Sequence, residues 1–298
     1  MLTPLLTSFA ARFTSSLVAE YGLSPDQIVT VYPCTAVQTG MLSQFMRSDG
    51  GLYFNHYLYK LSPTTDVQSL RQAWAEVMEE NEILRAGFFV IDDDEHSFAT
   101  AIYSEKSVGL PWSLMRADDS QCQFIIEQQK SSLATQSVHH LGLPPWHLTL
   151  VMAETSTQLL LSAHHALYDA QSLQMILDAV KSKYLRKAPC IRSHFSSPLE
   201  KIMEGALDAC KLDESRSFWL KQLEGSTISR FPNLTVTRGR SRSSHVIAHI
   251  SAWKLSKIKA TSQKLGYSIH AVAQAAWARI LSAYLGESQV VFGVGKLT

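Results

Sequence analysis

Most of the short signatures that tie a sequence to a chemistry are missing from this chain. Its four cysteines, Cys34, Cys122, Cys190 and Cys210, lie far apart and form no CxxC pair. That excludes a disulfide framework and a thiolate zinc knuckle, and suits reduced packing residues in a cytoplasmic protein. No apolar run approaches the ~18–20 residues of a membrane helix. The opening MLTPLLTSFAARFTSSLVAEYG carries Arg12 as its only basic residue, whereas a secretory leader needs a charged region before its apolar block. Glu20 and the lack of further arginines also argue against a transit peptide. A formal net charge of +1 gives no reason to expect a nucleic-acid partner. HExxH, the GxSxG elbow, internal repeats and low-complexity tracts are all absent. The last residues, GVGKLT, lack the leading glycine of a phosphate loop and have Leu297 where Ser or Thr is required.

What is present is ordinary globular material: 298 residues, 46% hydrophobic and 18% charged, enough for one large or two medium domains. Apolar periodicity predicts an amphipathic helix over residues 5–20. Pro33 ends an extended piece, and Thr35 with Gln38 forms a capping box for a second helix. Residues 52–61, LYFNHYLYKL, alternate as a strand does. Val67, Leu70, Trp74, Val77 and Met78 follow at helical spacing. RAGFFVI and SFATAIYS read as strands around the acidic turn 92–95, which lacks the glycine and downstream glutamate of a calcium loop. After a helix near 119–135, WHLTLVMA and TQLLLSAHH read as a hairpin, followed by a helix over 171–185.

From residue 186 to about 198 the period disappears, as in a crossing between two domains, 1–185 and 186–298. Beyond it the pattern predicts a long helix over 199–225, a polar loop containing RGRSR (238–242), and a strand at 244–251. Helices at 254–265 and 268–285 and a last strand, SQVVFGV, complete it. The RGRSR loop reads as a solvated connector. The fold class is α/β with a parallel or mixed sheet.

The chemistry concentrates in LLLSAHHALYDAQSLQ, residues 159–174. Neighbouring side chains of a strand point to opposite faces, so His164 and His165 are poorly placed to share a metal, and no Cys/His pair has zinc spacing. No metal is expected. A histidine at a strand's end can accept a proton from an amine or hydroxyl near neutral pH. Asp169, just ahead of a helix, can cap it or pair with a buried arginine. Two core histidines and a helix cap remain the plainer alternative.

AHHALYDAQS resembles the HHxxxDG motif of condensation domains from nonribosomal peptide synthetases, and other stretches occur in the family's order. YPCTAVQTGML (32–42) is similar to the opening motif in its fungal form. ENEILRAGF (80–88) resembles RHExLRTxF through Glu82, Leu84, Arg85 and Phe88, departing at Glu80, Asn81 and Ala86. LPPWHLTL, FWLKQLEG (218–225) and SQVVFGV resemble further landmarks, so that the resemblance runs from about Tyr32 to the end.

The resemblance implies a two-lobe fold, each lobe like chloramphenicol acetyltransferase, around a tunnel. It implies amide formation between an acyl or peptidyl thioester on the phosphopantetheine arm of a donor carrier protein and an amine on an acceptor carrier. Adjacent synthetase domains would be further partners, and no cofactor would be bound by the domain itself. A terminal cyclising variant, a coenzyme A-dependent acyltransferase and a non-catalytic carrier-binding remnant are the other readings. A fungal siderophore synthetase is a plausible home. The resemblance makes His165 the catalytic residue and His164 structural. It pairs Asp169 with Arg85 to hold the loop, and sets Ala170, in place of the motif's glycine, and Ser172 beside the tunnel or donor site. It also implies a second lobe continuing past Thr298, so the lobe is expected to be incomplete here.

Overall fold

A computed structural model describes residues 4–62, 64–186, 199–206, 209–226 and 254–293. It divides the chain into two units, in essence Met1–Ala209 and Cys210–Lys296. In the first, helix α1 (Pro4–Tyr21) puts Leu6, Phe9, Phe13 and Leu17 on one buried face, because apolar residues three and four apart fall on one side of a helix. Strand β1 (Ile28–Pro33) leads to α2 (Ala36–Arg47), where Thr35 and Gln38 form the expected reciprocal cap. Strand β2 (Phe54–Leu61) is followed by α3 (Val67–Glu80), capped by Asp66. Strands β3 (Ala86–Val90) and β4 (Phe98–Tyr103) pair antiparallel around the acidic turn, where Asp93 accepts backbone bonds and meets Arg12 at 2.7 Å.

Then come β5 (Trp112–Arg116), α4 (Cys122–His139), β6 (Trp146–Met152), β7 (Thr157–His164) and α5 (Ala170–Tyr184). β1, β4 and β3 form an antiparallel sheet in the order β1-β4-β3. The second sheet has the order β2-β7-β6-β5, antiparallel except for β5 beside β6. It is covered on both faces, which explains why β7 reads as an unbroken apolar run. Leu159, Leu161 and Ala163 enter the main core with Trp74, Val77, Ile176 and Val180, while Leu160 turns the other way to meet Cys122 and Ile126 of α4. The Trp74 and Trp146 rings lie 5.9 Å apart across that core.

Helix α6 (Leu199–Ala206) buries Met203 against the main core, so the first unit reaches past residue 185. The second unit contains α7 (Ala209–Gln222), α8 (Leu255–Lys264) and α9 (Ile269–Leu285). Ser268 caps α9 at its start, and Gly286 ends it at φ 70°, a left-handed conformation suited to glycine.

Three expectations change. β5 was not foreseen. The segment 199–225 holds two helices, α6 and α7, with 207 and 208 outside the described residues. The terminal strand does not form over 288–293, where no described strand supplies a hydrogen-bonding partner. The crossing at 187–198, the RGRSR loop and the strand at 244–251 lie outside the described residues.

Candidate active site

β7 carries its register through His164, which pairs with Phe54 of β2, and its backbone N–H donates to the Pro145 carbonyl at 2.9 Å. The chain then tightens into a single 3-10 turn, His165–Leu167, passes through an extended Tyr168 and enters α5. One histidine is therefore the last residue of a doubly covered strand and the next is the first residue beyond it.

His164 is fully buried, its ring 4.6 Å from that of Phe45 in an edge-on packing. Its Nδ1 accepts the Ala166 backbone N–H at 3.1 Å, so the ring proton sits on Nε2, a buried atom that lacks a protein partner. Burial, with His165 alongside, pushes its pKa down to about 4 and keeps it neutral. A neutral ring enclosed in this way shapes the turn and offers no lone pair to a ligand.

His165 is half-buried. Its backbone N–H donates to the Tyr53 carbonyl at 2.8 Å, and its Nδ1 lies 2.7 Å from the Tyr168 carbonyl oxygen. A carbonyl oxygen can only accept, so Nδ1 carries a proton, and in the neutral ring the lone pair belongs to Nε2. The imidazole stacks on the Tyr168 ring at 4.9 Å and 14°. Tyr168 is itself tied down: its hydroxyl accepts from Asn55 Nδ2 at 2.9 Å and lies 3.1 Å from the Tyr57 hydroxyl. On the other side of the turn, Gln38 Nε2 donates to the Ala166 carbonyl at 3.2 Å.

The expected Arg85–Asp169 pair is not formed. Arg85 is buried at 6% exposure, yet its guanidinium serves carbonyls: Nε donates to Tyr103 at 3.1 Å and Nη1 to Met78 at 2.8 Å and to Glu79. Two of these are last-turn carbonyls of α3, where the helix leaves acceptors without internal donors and draws a cation. Asp169 instead caps α5. Its Oδ1 accepts the Ser172 backbone N–H and hydroxyl, both at 2.7 Å, while Ser172 Oγ accepts the Asp169 N–H at 2.8 Å. Those donors hold the carboxyl below the usual carboxylate range. Ser172 is thereby committed to the cap, and Ala170 stands exposed at the first position of α5.

The sequence pattern places His164 and His165 at the end of a strand, as the structure does, but does not indicate the supports of the turn. Gln38, a cap partner by its spacing from Thr35, performs both tasks. Asn55 and Tyr57 share one face of β2, a signal present in the strand's alternation.

A small apolar cavity of about 20 Å³ lies under the turn, lined by Trp74, Leu84, Trp146, Leu167, Tyr168 and Ile176 among others. A separate cleft of about 400 Å³ opens between the end of α4 and the 107–111 and 143–147 segments, and His165 does not line it. Its lining includes His147, whose Nε2 bonds Ser113 Oγ at 2.8 Å and whose pKa burial lowers. Among the described residues no group of three His, Cys, Asp or Glu side chains could hold a metal ion.

A mixed α/β unit thus presents one imidazole, His165, oriented by the turn that follows β7. Residues 28–295 match the condensation domain family, and the chain belongs to that family. It is 32% identical over 289 residues to the nonribosomal peptide synthetase sidC of Arthroderma benhamiae, covering 96% of this chain and 6% of that protein. Identity is 32% over 297 residues to nonribosomal peptide synthetase 2 of Cochliobolus heterostrophus, covering 96% and 5%. The hydroxamate-type ferrichrome siderophore peptide synthetase of Schizosaccharomyces pombe is 28% identical over 269 residues, covering 90% and 5%. The chain thus spans about a twentieth of the length of these relatives. Among solved structures, the condensation domain of the Monacolin K polyketide synthase MokA superposes with a TM-score of 0.65 at 15% identity, covering 88% of this chain and 61% of that one. That likeness shows the chloramphenicol-acetyltransferase-like condensation fold.

Proposed function

We propose that this chain forms an amide between a carrier-bound acyl or peptidyl thioester and the amine of an acceptor substrate, within a fungal nonribosomal peptide synthetase. The observation that carries the reading is the bond from His165 Nδ1–H to the Tyr168 carbonyl, which makes Nε2 the accepting atom of the neutral ring. The amine nitrogen attacks the thioester carbonyl, the C–N bond forms, and the C–S bond breaks. Nε2 of His165 takes the amine proton and returns it to the leaving sulfur, so the products are an amide and a thiol and the imidazole ends neutral. A base fixed in place by a backbone carbonyl loses little orientational freedom on reaching the transition state.

The substrates would arrive on the phosphopantetheine arms of a donor and an acceptor carrier protein, with no cofactor resident in the domain. The siderophore synthetase among the relatives supports a hydroxamate-type peptide as product. Cytoplasmic placement accords with the finding that no described helix is long and apolar enough to cross a membrane.

The test supplies matched donors: an acyl group on a carrier protein and the same acyl group on free coenzyme A, each with an amine-loaded acceptor carrier. Amide appearing from the carrier-bound donor alone supports the reading. Equal or faster transfer from coenzyme A would overturn carrier dependence, and carrier binding without any transfer would overturn catalysis.

A further inference from the structure

We propose that Asn55 and Tyr57 of β2 are positioning residues for His165, acting through Tyr168; this deepens the reading of His165 as the base and rests on it. Residues two apart on a strand project from the same face. Asn55 and Tyr57 use that geometry to converge on one atom, the Tyr168 hydroxyl oxygen, at 2.9 and 3.1 Å. Because Asn55 Nδ2 donates into that oxygen, the Tyr168 hydroxyl hydrogen is available to the Tyr57 oxygen, and both contacts can be satisfied together.

Tyr168 in turn sets both properties of His165 that matter to a base. Its carbonyl oxygen, 2.7 Å from Nδ1, selects the tautomer, and its ring, 4.9 Å away at 14°, fixes the plane of the imidazole. One residue governs proton placement and ring orientation, and two side chains from another strand hold that residue. Desolvation and the Tyr57 contact raise the Tyr168 pKa, so its hydroxyl stays protonated and serves as a fixed dipole, not as a second acid. Asn55 and Tyr57 are not offered as catalytic residues, because neither touches His165.

The measurement is the tautomer of His165 in this whole chain, labelled with ¹⁵N at its 11 histidines. Long-range ¹H–¹⁵N spectra distinguish the two protonated nitrogens, and the signal lost in His165→Gln assigns the residue. The unaltered chain should show the Nδ1–H form. Tyr57→Phe, Asn55→Ala and Tyr168→Phe should each raise the Nε2–H fraction roughly three- to tenfold, as loss of about one net hydrogen bond allows. The His164 signals should stay in place. A merely structural role would lower the melting temperature and leave the tautomer unchanged, and an unchanged tautomer in all folded variants overturns the proposal. Tyr57→Phe removes one hydroxyl only, so it decides the matter if the other two fail to fold.

The same variants in the carrier-bound amide assay should lose kcat with little change in KM. If the unaltered chain makes no amide while the tautomer still shifts in the variants, the functional reading fails and the positioning network stands.

Discussion

Replacing Arg85 and Asp169 singly and together tests how the histidine turn is held. Arg85→Met keeps most of the buried volume but removes the guanidinium donor from the carbonyls of Met78, Glu79 and Tyr103, of which Met78 keeps the Asn81 N–H at 3.4 Å. Hydrogen bonds to a charged group contribute about 1.5–3 kcal/mol each and do not add simply. Relief of the guanidinium's own desolvation offsets part of the loss, so the net cost should be about 2–4 kcal/mol. Asp169→Ala removes a helix cap formed with Ser172, at a cost of about 1 kcal/mol. The two side chains share no partner in this structure, so the double variant should cost the sum of the singles within about 0.5 kcal/mol. Urea denaturation followed by tryptophan fluorescence supplies the three differences. A buried Arg–Asp pair would behave otherwise: the second substitution would cost little after the first, with a coupling of several kcal/mol. A coupling above about 1 kcal/mol would refute the separate roles assigned here.

Three further outcomes are expected. At Gly87 in β3 a Cβ would overlap the Gly142 carbonyl, so Gly87→Ala should lower stability by about 3 kcal/mol, whereas Gly40→Ala, facing open space on α2, should be neutral or slightly stabilising; thermal unfolding compares the two. Burial pushes His164 from 6.5 down to about 4, so the unfolded chain binds the extra proton between those values. The stability tied to this residue is complete above about pH 6.5 and should fall by roughly 3 kcal/mol as pH drops to about 4. His164→Asn, which can keep an acceptor for Ala166, should flatten that slope, and a slope unchanged in this variant would count against the assignment. Gln38→Ala should lower the melting temperature through the lost α2 cap and also increase hydrogen exchange at Ala166 and Leu167, because the same amide holds the Ala166 carbonyl; protected amides there would rule out the second role.

Elements whose burial is uniform along their length were legible in the sequence. β7 is apolar on both faces, α1 and α3 carry single apolar stripes, and the cap at Thr35 is spelled out by residue type and spacing. β5 was not, because a five-residue parallel edge strand with half-exposed Trp112, Ser113 and Met115 and exposed Leu114 and Arg116 shows neither clean alternation nor an apolar run. The Arg85 contacts were hidden for a different reason. Residue type says that a buried guanidinium needs acceptors, but not whether they are a carboxylate or the open carbonyls at a helix end. Arg85 follows α3 closely enough to reach the latter. For Asp169 the helix-cap reading was available from its place ahead of α5, and the resemblance to HHxxxDG led to the ion pair instead. The support of His165 depends on pairing β2 with β7 in register, which brings Asn55 within reach of Tyr168; no local pattern specifies that contact.

The most direct test of the central claim is the rate of amide formation by this chain from loaded donor and acceptor carriers, with His165 and with His165→Gln, followed by intact-protein mass spectrometry. Loss of a positioned base should slow product formation about 10²- to 10⁴-fold with folding unchanged. A rate within a fewfold of the unaltered chain would contradict the assignment of His165 as the proton acceptor.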